Sequence, residues 1–255
     1  MSLAVTYYGQ NALCLKSTET ASGSPEEAKV FRIIVDPAFL PRDASTTLEE
    51  IPADVLQADY ILQTQAAANL LADVIDLARR TEAQVICHSD LAVWFVQQGA
   101  ENVAGMSLGS GATFPFGKVI MTLAHQAAAE GYGEGVADGR PPLGTPVSYL
   151  VHFNDGLDVY IAGNSAQTAD MELIGKAGGV DLAILPLGDQ PYNGSDAALR
   201  AAQLVQAKHV LPMQCERMIS VSAGTPNEAE VFAERLRRVA EIDTTILLSG
   251  QDAFF

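Results

Sequence analysis

The chain has 255 residues, 48% of them hydrophobic and 18% charged, a composition that excludes a disordered, collagen-like or coiled-coil protein and can bury a sizeable core. Fifteen Lys and Arg stand against 31 Asp and Glu, a formal charge of −16 that repels a phosphate backbone and an anionic membrane surface, so neither nucleic acid nor membrane is expected as a partner. Three cysteines, Cys14, Cys87 and Cys215, are odd in number and lack CxxC spacing, which argues against a disulfide framework or a structural zinc cluster and for a reducing, cytoplasmic setting.

The first third predicts β-hairpins: strands at Val5 to Tyr8, Ala12 to Lys16 and Val30 to Val35, with a solvated loop rich in Ser, Thr, Glu and Pro from Ser17 to Glu27. An irregular stretch after Asp36-Pro37 leads to the apolar Tyr60-Ile61-Leu62 and a helical pattern from Asn69 to Arg80. The strand-helix unit repeats as Gln84 to Cys87 and Asp90 to Gln98. Strands follow at Lys118 to Leu123, Thr145 to Phe153 and Leu157 to Ile161, the last two joined by an Asn154-Asp155-Gly156 turn. Gly131 to Gly144 reads as a surface loop. The last third alternates a helix at Ala169 to Ala177, a strand at Asp181 to Leu185, a helix at Asp196 to Gln206, a strand at His209 to Leu211, a helix at Asn227 to Val239 and a strand at Thr244 to Leu248. Hairpins and strand-helix repeats in both halves, with no linker to divide them, predict mixed sheets covered by helices in one domain spanning residues 1–255.

The motifs YGQNALCL, VDPAFL, DYILQTQAAANLLAD, GKVIMTLAHQ, VYIAGNSA, AILPLGD and HVLPMQC, in this order and over nearly the whole chain, resemble the metallo-β-lactamase superfamily. Within it, the chain is similar to metal-dependent hydrolases of the L-ascorbate-6-phosphate lactonase kind. The resemblance implies a four-layer αββα sandwich of two mixed sheets flanked by helices. It also implies a Thr-His-x-His-x-Asp-His run whose side chains converge with others on zinc or manganese. Here that run is Thr64-Gln65-Ala66-Ala67-Ala68-Asn69-Leu70, which sets Gln65, Ala67, Asn69 and Leu70 at ligand positions. The early His corresponds to Gln10, the mid-chain His to Gln126, the bridging Asp to Asn164 and the late His to Gln214.

Four His positions are thus Gln and both Asp positions are Asn. Two carboxylates buried together without a cation repel each other and lose hydration, whereas amides keep the size and the hydrogen bonding without the charge. These residues therefore predict a neutral, amide-lined pocket in which Ala67 and Leu70 close space.

Of the chemistry that remains, His125 precedes Gln126 and Cys215 follows Gln214, and together they are the candidate catalytic residues, a thiol nucleophile with its base. His88 lies at a strand-to-helix junction where Ser89 or Asp90 can cap the helix, and His152 and His209 read as ordinary strand residues. Thr64 and Ser165 are expected to hydrogen-bond structurally, and Asp36 and Asp189 to orient loops by accepting backbone N–H bonds.

Two function classes follow. The first is a metal-free, non-catalytic protein of this fold, with no cofactor and a binding or structural role, taking a neutral or polar small molecule. The alternative is a divergent hydrolase of lactones, esters or phosphodiesters that uses a rebuilt metal site or the Cys215/His125 pair. The apolar content also leaves surface for a homo-oligomer.

Overall fold

The computed structural model describes residues 3–9, 11–20, 28–38, 56–66, 68–126, 145–187, 194–214 and 228–255. Two seven-stranded sheets face each other. The first has the order β14-β1-β2-β3-β4-β5-β6, from β1 (Leu3–Gly9), β2 (Ala12–Thr20), β3 (Ala28–Val35), β4 (Tyr60–Leu62), β5 (Gln84–His88), β6 (Val103–Met106) and the late strand β14 (Asp252–Phe254). The second has the order β13-β12-β11-β10-β9-β8-β7. Its strands are β7 (Gly111–Phe114), β8 (Gly117–Leu123), β9 (Val147–Phe153), β10 (Asp158–Ile161), β11 (Val180–Pro186), β12 (Ala207–Met213) and β13 (Asp243–Thr244). Each sheet is half hairpin and half crossover. Pairing is antiparallel from β14 to β3 and from β7 to β10, then parallel from β3 to β6 and from β10 to β13.

Alternation along the strands sorts the side chains into layers. Val5, Tyr7, Leu13, Leu15, Ile33 and Val35 from one sheet meet Val119, Met121, Tyr149, Val151, Ile161 and Ile184 from the other in the central core. The outer face of the first sheet is covered by helices α1 (Ala68–Thr81) and α2 (Ser89–Gln97). On α1 the buried Leu71, Val74 and Leu77 recur every three residues, the stripe that lays a helix on a sheet. Helices α3 (Asp170–Lys176), α4 (Ser195–Leu204) and α5 (Glu228–Ala240) cover the second sheet, α5 through Ala229, Phe232 and Leu236. The result is the αββα sandwich. Among the described residues no helix is long and apolar enough to cross a membrane.

One end of the sandwich is closed by rings. Tyr60 at the start of β4 lies edge-on to Phe116 at 4.7 Å between centroids, and Phe114 stacks on Phe116 at 5.6 Å. The opposite end collects the loops after β1, β3, β4, β8, β10 and β12, and these carry the polar residues considered below.

Several boundaries differ from expectation. Ser17 to Thr20 belong to β2, not to a loop, because they pair in register with Phe31 to Ala28 of β3; residues 21–27 lie outside the described part, as does the Gly131 to Gly144 stretch. Of the expected Thr244 to Leu248 strand only Thr244 pairs with β12, together with Asp243 before it. Beyond them Leu247 turns into the central core, a stronger pull than continued pairing at the sheet edge. Strands β6, β7 and β14 went unpredicted because they are three or four residues long and carry Gly or Asp in place of an apolar run. The Asn154-Asp155-Gly156 turn forms as expected: Gly156 adopts φ +94° and its N–H donates to Phe153 O at 3.0 Å.

Candidate functional site

Directly after β3 the chain enters the left-handed region at Asp36, φ +41°, and the residue is fully buried. Its carboxylate accepts from Thr64 N at 2.8 Å and, in a close contact, from Thr64 Oγ1. Thr64 is thereby fixed at the end of β4, and Val147 N donates to its carbonyl at 2.8 Å, tying the two sheets together. Gly163, φ +59°, packs so tightly on Thr64 that a Cβ there would lie 2.7 Å from Oγ1. The expectations for Thr64 and Asp36 hold: the threonine hydrogen-bonds structurally and the carboxylate accepts a backbone N–H.

From this support the amides extend as one chain of hydrogen bonds. Gln65 Oε1 accepts from Gln126 Nε2 at 2.7 Å and from Asn164 Nδ2 at 3.4 Å. Asn164 Oδ1 accepts from Gln214 Nε2 at 2.6 Å, and the same nitrogen makes a close contact with Asn11 Oδ1. Gln214 also has positive φ, +65°, and its backbone N–H donates to Tyr7 Oη at 3.0 Å. Gln65, Asn11 and Gln214 are buried, while Gln126 and Asn164 are half-buried, so the chain has an accessible side. Gln214 Oε1 has no hydrogen-bond partner among the described residues, a cost of roughly 1–3 kcal/mol for a buried acceptor unless something else donates to it.

Gln65, Gln126, Asn164 and Gln214 are therefore brought together. Gln10 and Ala67 lie outside the described residues, and Asn69 and Leu70 fall in the first turn of α1, where only the backbone is described. Asn11 was missed, and so was Tyr7. Asn11 follows the expected Gln10 in the tight β1–β2 connection, where the register shifts between Tyr7 and Gly9. A polar residue at such a turn was the available signal.

The remaining candidates divide. His125 is exposed, and its backbone N–H donates to Ser165 Oγ at 2.9 Å; Ser165 Oγ in turn donates to Ala166 O at 2.7 Å, the structural role expected of it. Cys215 and Asp189 lie outside the described residues. His88 caps α2 with its own ring, accepting from Asp90 N at 3.3 Å, so the capping role expected of Ser89 or Asp90 falls to the residue before them. Ser89 is already the first helical residue, one position too late for it. His152 in β9 pairs with Asp158 Oδ1 at 2.6 Å, and His209 in β12 with Thr245 Oγ1 at 2.8 Å. Burial pushes the Cys14 thiol up to about 11 and the Cys87 thiol up to about 12, so both are inert.

The donors at the site do not fit a zinc ion or a carboxylate-bridged pair of ions. Zinc takes imidazole, thiolate or carboxylate, whereas the convergent groups here are neutral amides bonded to one another. Among the described residues no three His, Cys, Asp or Glu side chains gather around one point. Amide carbonyl oxygens suit harder cations.

This fold and this placement of loops belong to a known group. The chain belongs to the metallo-β-lactamase superfamily: a family described as beta-lactamase superfamily domain matches residues 4–214. A protein of Exiguobacterium named UPF0173 metal-dependent hydrolase is 30% identical over 245 residues, covering 95% of this chain and 98% of the relative. A protein of Rubrobacter xylanophilus with the same name is 36% identical over 221 residues, 86% of this chain and 87% of the relative. Among solved structures, a metallo hydrolase from the archaeon Ignicoccus hospitalis superposes with TM-score 0.75 at 22% identity, over 100% of this chain and 99% of that one, a likeness of fold.

These relatives correct two expectations. A metal-free, non-catalytic role and a cofactor complement of none do not agree with relatives named metal-dependent hydrolases along nearly the full length of the chain. The change from ligands to amides was read as loss of chemistry, although amide oxygens are themselves donors for a different class of ion.

Proposed function

We propose that this chain is a divergent hydrolase of the metallo-β-lactamase superfamily, acting at the loop end of the sandwich through a rebuilt site on a lactone or ester of a neutral, polar molecule. The observation that carries this is the kinship with relatives named metal-dependent hydrolases over 95% of the chain. The uncharged lining and the net charge of −16 favour a lactone or ester over an anionic phosphodiester. In this site the half-buried Gln126 and Asn164 amides are the groups a substrate carbonyl meets, and N–H donors aimed at a developing oxyanion lower the barrier. Asp36, through Thr64, holds the backbone that carries Gln65. Buried thiols at Cys14 and Cys87 suit a reducing cytoplasm, and a homo-oligomer is part of the reading.

The test is a panel of lactone, ester and phosphodiester substrates assayed with chelator and then with added magnesium, calcium, manganese or zinc. Turnover of a neutral lactone or ester that rises with a divalent ion supports the reading, and no turnover of any substrate under any ion sinks it. Asn164→Ala is expected to lower kcat/KM by about 10²-fold, the scale of one lost oxyanion donor. The other route, Cys215 with His125, predicts that Cys215→Ala abolishes turnover. Unchanged turnover in that variant assigns the chemistry to the amide site.

A further inference from the structure

Among the described residues the sandwich has four sheet edges, β14 and β6 in the first sheet and β13 and β7 in the second. An open edge presents unpaired N–H and C=O groups to any strand that arrives, and charges on or over it discourage such pairing. Three of the four edges are guarded in that way. The exposed Asp243 lies in β13 and the exposed Asp252 in β14, while the stem of Lys118 reaches over β7, its Cε 3.0 Å from where a Cβ on Gly111 would be. The β6 edge carries no charge: from Leu91 to Gly117 the only charged residue is Glu101, in a chain that is 18% charged.

The register leaves this edge ready to pair. Val85 N donates to Asn102 O at 2.9 Å and Val85 lies opposite Val103, so the parallel ladder turns the backbone groups of Ala104 and Met106 toward β5 and those of Val103 and Gly105 outward, where no other described residue bonds to them. Helix α2 continues the face. A Cβ on Gly105 would sit 2.8 Å from Ala92 Cβ and 3.4 Å from Ser89 Cα, which places the stripe Ser89, Ala92 and Val96 on the β6 flank of the helix, with Val93 beside it. Val93 is 65% and Val96 56% exposed, although the face of α2 that carries Leu91 and Phe95 is buried. Open backbone and bare valines thus adjoin.

We infer that the β6 edge and the Val93 and Val96 stripe of α2 bind a second copy of this chain about a two-fold axis, joining two first sheets into one. The strand is its own complement. With Ala104 facing Ala104 across the axis, Val103 of each copy exchanges both backbone bonds with Gly105 of the other, and Glu101 falls opposite Ser107, so no acid meets an acid. Charge selects the occupant. A copy of charge −16 is repelled wherever acids face acids and is admitted across a face without them, whereas a cationic partner is drawn to acidic surface elsewhere and gains nothing here. The inference rests on the homo-oligomer of the reading above, whose interface it names, and does not depend on the chemistry at the amides.

The full chain is weighed by sedimentation velocity over a range of micromolar concentrations. The expected result is a particle of twice 27.0 kDa for the native chain and for Leu173→Glu, an equally bare position on α3, and a dimer weakened at least about a hundredfold in Val93→Glu/Val96→Glu, where each copy brings two acids to the contact. A native chain that stays at 27.0 kDa overturns the inference and leaves the edge to a strand of some other protein. A dimer indifferent to the two valine substitutions, or one that Leu173→Glu weakens as much, overturns it too. Hydrogen exchange of the native chain needs no variant: a peptic peptide carrying Val103 and Gly105 should exchange at least about tenfold more slowly above the dissociation constant than below it, because these outward amides are bonded only in the dimer. Equal exchange at both concentrations overturns the pairing. The two readings fail separately: a native monomer with turnover sinks the interface and leaves the hydrolase, a dimer through another face sinks the interface alone, and a β6-paired dimer without turnover of any substrate sinks the hydrolase alone.

Discussion

Asp36 shows how much one side chain can organise at a loop junction. It sits in a backbone region that a non-glycine residue seldom occupies, and it does so because its carboxylate takes up the N–H and the hydroxyl of Thr64 in a place closed to bulk solvent. Asp36→Ala should leave both donors unpaired and lower the unfolding free energy by about 2–3 kcal/mol, measurable by urea denaturation. Gly163→Ala acts on the same contact from the other side, since the new Cβ both collides with Thr64 and must hold positive φ; a loss of about 1–3 kcal/mol is expected in the same measurement. The thiols give a simpler test. With Cys14 and Cys87 buried and their thiols pushed up to about 11 and about 12, native protein at mildly alkaline pH should take up iodoacetamide at Cys215 or not at all, and at all three cysteines in denaturant, as mass spectrometry would read. At this scale the sequence was only partly legible. The order of short motifs pointed to Gln65, Gln126, Asn164 and Gln214, but for Asn11 it offered only a polar residue at a turn, which reveals its partner once the distant Gln214 has folded against it.

The elements were more legible where periodicity and length agree. Helices α1 and α5 were predicted within a residue or two of their ends, since Leu71, Val74 and Leu77 on one and Ala229, Phe232 and Leu236 on the other mark a single buried face. Phe232→Ala should therefore cost about 3–5 kcal/mol, whereas Val239→Ala, on the exposed side of α5, should stay within about 0.5 kcal/mol. The short edge strands β6, β7 and β14 resisted prediction because their existence depends on a neighbour to pair with, not on their own composition. The β13 edge carries a titration. His209 on β12 lies against Thr245 and the edge of the Phe255 ring, and burial lowers its pKa despite the opposing pull of Asp243. The folded chain then binds fewer protons there than the unfolded chain between the lowered value and the ordinary value of about 6.5. Stability should be complete above about 6.5 and decline as pH falls below it, and His209→Gln should flatten that part of a plot of Tm against pH.

Across the whole molecule, two sheets of matching design face each other, each changing from antiparallel to parallel pairing at its fourth strand, β3 in one and β10 in the other. The central core they share leads us to expect one cooperative unfolding transition by calorimetry, with two separated transitions counting against a single domain. A net charge of −16 repels itself, so moderate salt should raise Tm. The sandwich was foreseeable from strand and helix order, while the distance between its sheets was not, because no local pattern encodes a contact between β9 and the β4–β5 pair. Tyr149 makes that contact. From β9 its hydroxyl reaches the carbonyls of Gln63 at 2.8 Å and Ile86 at 3.0 Å, and burial holds the phenol protonated far beyond its ordinary range. A rigid ring of constant length, engaged at both ends, works as a gauge block between the two walls just beneath the amides. The separation of the two walls at this end is therefore fixed by the length of one side chain, and a shorter residue at position 149 would let them settle toward each other.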